Sequence, residues 1–337
     1  MALRTKPRAA LVHARTAGWR VARPVRTRVD WLASRRDRAD VAVFHEYAPP
    51  PSGGGNQFIR ALTNELRRRG LTLEANRISG GTGACLFNSF NFDFARLRRF
   101  ARDDVRMVHR VDGPVGVYRG FDDGTDRRIL ELNRAFANAT VFQSRYSLDK
   151  HRELGLELGA PVVIPNAPDP AIFHRPAERA PLAGRKFRVI ATSWSMNARK
   201  GGDVLAWLDE HVDDDRYEVT FAGQTELRFD RIRIVGPLAS EPLAELLREH
   251  DVYLAASRDD PCSNALLEAL ACGLPAVFLR SGGHPELVGE GGIGFDELEE
   301  LPGVLDRLAA ELEERRAGIR VPTLGDVADR YLEVLRG

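Results

Sequence analysis

From Val41 onward, short apolar runs and longer amphipathic stretches take turns along the chain. Val41–Phe44 is continuously apolar, as in a strand covered on both faces, and Asn56–Arg69 repeats its apolar residues at helical spacing. Ala84–Phe87, Val105–Val108, Thr140–Phe142 and Val162–Ile164 predict further strands, with helical patterns between them. Pro161, Pro165, Pro168, Pro170, Pro176 and Pro181 then crowd one stretch, and the periodicity stops. It resumes with strands at Phe187–Thr192, Glu218–Phe221, Arg231–Val235, Val252–Ala255 and Ala276–Leu279. Asp203–His211 and Glu241–Glu249 are the clearest helices of this part. A last amphipathic segment, Leu324–Leu335, places Val327, Tyr331, Leu332 and Leu335 on one face.

Strand and helix in alternation predict an α/β fold of parallel, doubly wound sheets. At 337 residues the chain has room for about two domains. The expected division is a basic extension over 1–40, a Rossmann-like domain over 41–165 and a linker over 166–185. A second Rossmann-like domain over 186–320 and a C-terminal helix over 321–337 complete it. Two such domains face each other across a cleft, and ligands of open sheets sit at the carboxyl ends of the strands. Chemistry is therefore expected on strand-to-helix loops.

The net charge of +1 hides an asymmetry. Residues 1–40 hold eleven Arg or Lys against three Asp, so the remaining chain carries −7. Trp19 and Trp31 among these arginines, with Leu11, Val12 and Val21 nearby, fit an anchor on an anionic membrane surface. A disordered or protein-docking arm and a transit-peptide-like segment are the other readings. Nucleic acid is not an expected partner, because the acidic body offers no continuing basic groove. Three scattered cysteines supply neither a disulfide framework nor a zinc site, in keeping with a reducing compartment. The longest early apolar run, Ala9–Val12, is too short for a secretory signal, and no window of about 18 apolar residues exists. The expected location is cytoplasmic, with peripheral attachment to an inner membrane face as an option.

The richest stretch is Asp260-Pro-Cys-Ser-Asn-Ala-Leu-Leu-Glu268, two carboxylates eight positions apart across the start of a helix. Asp251–Ser257 upstream reads as a strand, Leu266, Ala269 and Leu270 fall at helical spacing, and Ser263 or Asn264 is the N-cap. Asp260 then projects from a loop, and Glu268 lies about one turn inside the helix, roughly 6 Å further along its axis. Cys262, Ser263 and Asn264 bring unpaired N–H groups and the positive end of a helix dipole between the two acids. A diphosphate gripped in the middle with a hydroxylated ring at either end describes a nucleotide-sugar.

The segment Asp251–Phe295 resembles the donor half of retaining glycosyltransferases of family 4, which have the GT-B fold. That family carries an acidic residue, seven residues, Glu, and then Ala-x-Ala-x-Gly-x-Pro. Asp260, Glu268 and Ala269–Pro275 stand in that register. The first acid is usually Glu, here the shorter Asp260, and the usual glycine at the fourth position is Ser263. The resemblance implies two Rossmann-like domains, with a last helix that crosses back to the first. It also implies transfer of a sugar from a nucleoside diphosphate with retention, without a divalent metal or other cofactor. Glu268 would hold the ribose diol, and Asp260 the sugar hydroxyls. The family's diphosphate-clamping Arg and Lys, five residues apart, fall on Ser195 and Lys200, with Arg199 as the candidate for the missing cation. The base would meet backbone at the turn containing Val235.

In the first domain, Pro49–Gln57 contains Gly53, Gly54 and Gly55, which expose backbone N–H groups to an anion. It resembles the family's glycine-rich turn below the donor phosphates. Met107-Val-His-Arg-Val-Asp112 resembles its His-rich turn, with His109 at the first His position and Asp112 where a second His often stands. Asp112 could bind donor hydroxyls, orient the acceptor, take its proton or serve only the turn. Asn166 is expected to bond local backbone, and His284 and Glu286 to serve as a turn and a helix cap. The acceptor is a glycan, a lipid-linked sugar or a small molecule. A catalytically degenerate nucleotide-sugar-binding protein and a nucleotide-sugar epimerase of the same fold are the alternatives.

Overall fold

The computed structural model describes residues 38–48, 54–179 and 181–337. Gly53 and most of the basic extension, on which the membrane reading rests, lie outside the described residues.

The first sheet contains β1 (Val41–Phe44), β2 (Leu73–Ala75), β3 (Ala84–Asn88), β4 (Arg106–Val111), β5 (Ala139–Phe142) and β6 (Pro161–Val163). The second contains β7 (Phe187–Ser193), β8 (Tyr217–Gly223), β9 (Ile232–Val235), β10 (Val252–Ala255), β11 (Ala276–Leu279) and β12 (Gly292–Phe295). All pairings are parallel, in the orders β2-β1-β3-β4-β5-β6 and β12-β11-β10-β7-β8-β9. Each chain path starts inside its sheet, winds to one edge and returns to build the other side. The order thus reverses between β1 and β3, and again between β7 and β10. Such reversal points open a crevice at the carboxyl ends of the strands, and the loops after β7 and β10 carry Lys200 and Asp260.

Two strands were not expected. β2 is three residues at a sheet edge, and its Glu74 is buried because the Ser79 amide donates to it at 2.7 Å, with the Ser79 and Thr82 hydroxyls also bonded. β12 reads Gly-Ile-Gly-Phe, which hides strand propensity. A side chain at Gly292 would collide with the Ala276 carbonyl, so the glycine is there for close approach. The first helix begins at Gly54 rather than Asn56, drawing Gly54 and Gly55 out of the expected loop into its opening turn.

The helix Leu324–Arg336 leaves the second domain and packs on the first. Leu324, Val327, Ala328, Tyr331, Leu332 and Leu335 enter the core formed by Val41, Val43, Phe58, Ile59, Leu62 and Val108. Tyr331 is fully buried, with its ring 6.1 Å from that of Phe58. Arg69 ties the outer face by donating to the Gly325 carbonyl at 2.8 Å and pairing with Asp329. We expect Tyr331→Ala to lose about 3–5 kcal/mol in urea denaturation, the usual cost of deleting a buried aromatic ring. A loss below about 1 kcal/mol would show that this helix is not part of the first core.

Candidate active site

Loops of both domains enclose a cleft cavity of about 310 Å³. Gly54, Gly55, Gln57, Asp112, Tyr118 and Gln143 line it from the first domain, and Trp194, Ser195, Lys200, Pro237, Asp260, Cys262, Ser263, Asn264 and Glu268 from the second. The facing walls touch. Gln57 Nε2 donates to Ser240 Oγ at 2.6 Å, and Asn166 Nδ2 to Asn264 Oδ1 at 3.0 Å. Gly54 must be glycine, because a Cβ there would collide with Asn264.

After β7 the chain makes a short turn, Ala198–Lys200, capped by the Asn197 side chain, which accepts from the Arg199 amide at 2.8 Å. Gly201 follows at φ 83°, in the left-handed region and tight against Ala256, so glycine is required twice over. The turn aims Lys200 into the cleft, where Nζ donates to Asp260 Oδ2 at 2.7 Å. Burial alone would raise the Asp260 carboxyl. Lys200 and His284, with the Lys200 and Cys262 hydrogen bonds, outweigh it and hold the carboxyl below its ordinary value. The loop therefore presents an ionised acid and a cation as one pair.

The helix Asn264–Ala271 begins immediately after that acid, with Ser263 as its N-cap accepting from the Leu266 amide at 3.3 Å. The amides of Asn264 and Ala265 are left without helical partners, at the positive end of the helix dipole and at the cleft wall. One turn on, Glu268 is only 8% exposed. Among the described residues no side-chain hydrogen bond or ion pair reaches its carboxylate. Burial pushes it up to about 8, with no other cause acting on it. A buried acid with no donor is expensive to ionise, and this one opens onto the cavity.

Several expected residues lie elsewhere. His109 does not reach the cleft. It is fully buried, stacked on Phe87 at 4.2 Å, with Nδ1 bonded to Asn133 at 3.1 Å and Nε2 to the Ser89 carbonyl at 3.4 Å. It is a core histidine, and burial lowers it to about 3. Arg199 is turned onto Asp259 and lines a neighbouring cavity of about 740 Å³ rather than the cleft cavity that Lys200 and Asp260 line. Val235 ends β9 outside the cavity wall, which is formed two residues later by Pro237 and Leu238. Cys262 is on the wall but buried, its thiol pushed up to about 12 by burial. Asp112 lines the cleft, accepting from Arg110 Nη1 at 3.1 Å and from Gln143.

Tyr118, Gln143 and Trp194 are wall residues that sequence reasoning gave no site role. Gln143 and Trp194 directly follow β5 and β7, a position legible in the sequence, whereas Tyr118 sits in the short helix Val115–Arg119. Asn166 bonds no local backbone with its side chain: it accepts from Arg110 Nη2 at 3.0 Å and donates to Gln143 Oε1 at 2.8 Å and to Asn264. Glu286 does cap a helix, but one in the other domain, accepting from the Arg145 amide at 2.8 Å.

The lone state of Glu268 has a signature in stability. Its folded carboxyl titrates near 8 and an ordinary one near 4.5. Between these values the folded protein holds a proton that the unfolded chain has released, so this group subtracts stability as pH rises through the window. A Glu268→Gln variant is expected to gain on the wild type in urea midpoint from about pH 5 to about pH 8, and to gain no more above it. A pH-independent difference would show that the carboxylate has a partner.

Residues 193–314 match the family model described as glycosyl transferases group 1. Over 86 residues the chain is 35% identical to N-acetyl-alpha-D-glucosaminyl L-malate synthase of Bacillus anthracis, covering 25% of this chain and 22% of that protein. Over 290 residues it is 28% identical to a subunit of the phosphatidylinositol N-acetylglucosaminyltransferase of Homo sapiens, covering 74% of this chain and 57% of that protein. The chain thus spans less than two thirds of the length of either relative. Among solved structures it is similar to the Anabaena protein HepE in complex with UDP, at TM-score 0.65 and 15% identity over 88% of this chain and 99% of that one. The fold is GT-B, and the stretch similar to glycosyl transferases group 1 is the one that carries Lys200, Asp260 and Glu268.

Proposed function

We propose that the protein is a retaining glycosyltransferase of family 4 that takes a sugar from a nucleoside diphosphate. The observation that carries this reading is Glu268: a buried carboxylate without a donor, one turn beyond a helix N-terminus, on the wall of an interdomain cleft. Its complement is a vicinal diol, whose two hydroxyls can both donate to one carboxylate. The free amides of Asn264 and Ala265 then face the diphosphate, as anions at helix N-termini are bound. Lys200 is shared between Asp260 and the departing phosphate, and Asp260 accepts from the donor sugar's hydroxyls.

The protein's work in such a reaction is placement and charge stabilisation. As the anomeric bond lengthens, negative charge gathers on the leaving phosphate, where Lys200 and the helix amides already point. The departing phosphate oxygen, still on the same face, takes the proton of the incoming hydroxyl, so no protein nucleophile forms a covalent bond. These groups take the part a divalent metal plays elsewhere. The acceptor enters from the first domain, beside Asp112 and Tyr118. HepE was solved with UDP, and the names of both curated relatives contain an N-acetylglucosaminyl group, so UDP-sugars lead the donor panel.

Incubation with UDP-, GDP- and ADP-sugars tests the reading through slow release of free nucleotide. Binding without any release would favour a degenerate, binding-only protein. For the accepted donor, Lys200→Ala is expected to lower kcat about 100-fold or more, the usual effect of removing one charge-stabilising group. An unchanged kcat would remove Lys200 from the site. Nucleotide binding should also release a proton near pH 7, because diol donors favour the charged form of a carboxyl that otherwise titrates near 8. Affinity therefore rises with pH to about 8 and then levels. Calorimetry in buffers of different ionisation enthalpy measures this release, and Glu268→Gln should abolish that part of it. Identical release from wild type and variant would refute the diol assignment.

A further inference from the structure

Arg110 is a charged residue in a buried strand, and it is completely buried itself. Its guanidinium lies 5.0 Å over the Phe58 ring. Nη1 donates to Asn88 Oδ1 at 2.6 Å and to Asp112 Oδ1 at 3.1 Å, and Nη2 donates to Asn166 Oδ1 at 3.0 Å. Burying a guanidinium costs several kcal/mol unless its donors are met. Both Nη atoms are met by side chains that are themselves held, Asn88 by His45 at 3.1 Å and Asn166 by Gln143, while Nε has no partner among the described residues.

The consequence falls on Asp112. Gln143 Nε2 donates to the same Oδ1 that Arg110 holds, while its other hydrogen bond goes to the Val111 carbonyl at 3.3 Å. Both donors sit on one oxygen. Among the described residues none reaches Oδ2, and the Asp112 side chain is 22% exposed on the cleft wall. The carboxylate is gripped through one oxygen, and the other is left without a donor on a side chain that lines the cavity.

We infer that Arg110 is a positioning residue for the transfer step, acting through Asp112 to fix Oδ2 as an acceptor for a substrate hydroxyl beside the reacting centre. The inference rests on the transferase reading. It also explains why a lysine would not serve, since one ammonium on a flexible stem cannot reproduce the planar fork that spans Asn88, Asp112 and Asn166. Arg110 touches none of the diphosphate grips, so its effect belongs to kcat rather than to nucleotide affinity.

The test is a double-mutant cycle of Arg110→Met and Asp112→Asn, read in nucleotide-sugar turnover and nucleotide affinity. Arg110→Met is expected to lower kcat about 100-fold, the scale of a misplaced catalytic contact, with nucleotide Kd within about three-fold of wild type. In the Asp112→Asn background the same change should cost less than about three-fold. Equal costs in both backgrounds, or unchanged turnover, would overturn the inference. Arg110→Lys, which keeps the charge, should fall between and serves if the Met variant does not fold. A crystal structure of the Met or Lys variant needs no activity. Asp112 is expected to swing away from its Gln143-bonded position, and an Asp112 left in place with Oδ2 in the cleft would overturn the role of Arg110. Wild type that turns over no donor would sink the transferase reading alone and leave that crystallographic comparison decisive.

Discussion

A carboxylate buried without a hydrogen-bond donor is a cost that folding alone does not explain. Glu268 carries that cost on the wall of an interdomain cleft. Its neighbours have partners: Asp260 pairs with Lys200, Asp112 is held through Oδ1 by Arg110 and Gln143, and Ser263 caps its helix. An open carboxyl beside unpaired helix amides marks where a ligand would supply the missing partners. The geometry that places it is topological. β10 adjoins the first strand of its sheet, so the loops after β7 and β10 face each other and Lys200 meets Asp260.

Much of this was legible in the sequence, for physical reasons. Parallel strands buried on both faces leave continuous apolar runs, which is why β1, β10 and β11 appear at their expected limits. The Asp260–Glu268 spacing is a local fact of one loop and one helix, so it survives the step to three dimensions. The short edge strand β2 and the glycine-rich β12 were hidden because their stability comes from neighbours rather than from their own residues.

What the sequence concealed are side-chain directions. His109 and Asp112 are three residues apart on one strand end, yet one enters the core and the other the cleft. Arg199 adjoins Lys200, but the capped turn points it at Asp259. Asn166 looked like a local turn residue and instead links Arg110, Gln143 and Asn264 across the two domains. Such long-range networks leave no spacing pattern in the chain.

Nothing tests the role of Glu268 more directly than comparing a nucleoside diphosphate with its 2′,3′-dideoxy analogue by calorimetry. Hydrogen bonds to a charged group are worth about 1.5–3 kcal/mol, so the wild type should bind the analogue about 10- to 100-fold more weakly. Glu268→Ala should bind both forms alike. Equal affinity of the wild type for the two would contradict the account, because the buried acid would then be reading something other than the ribose.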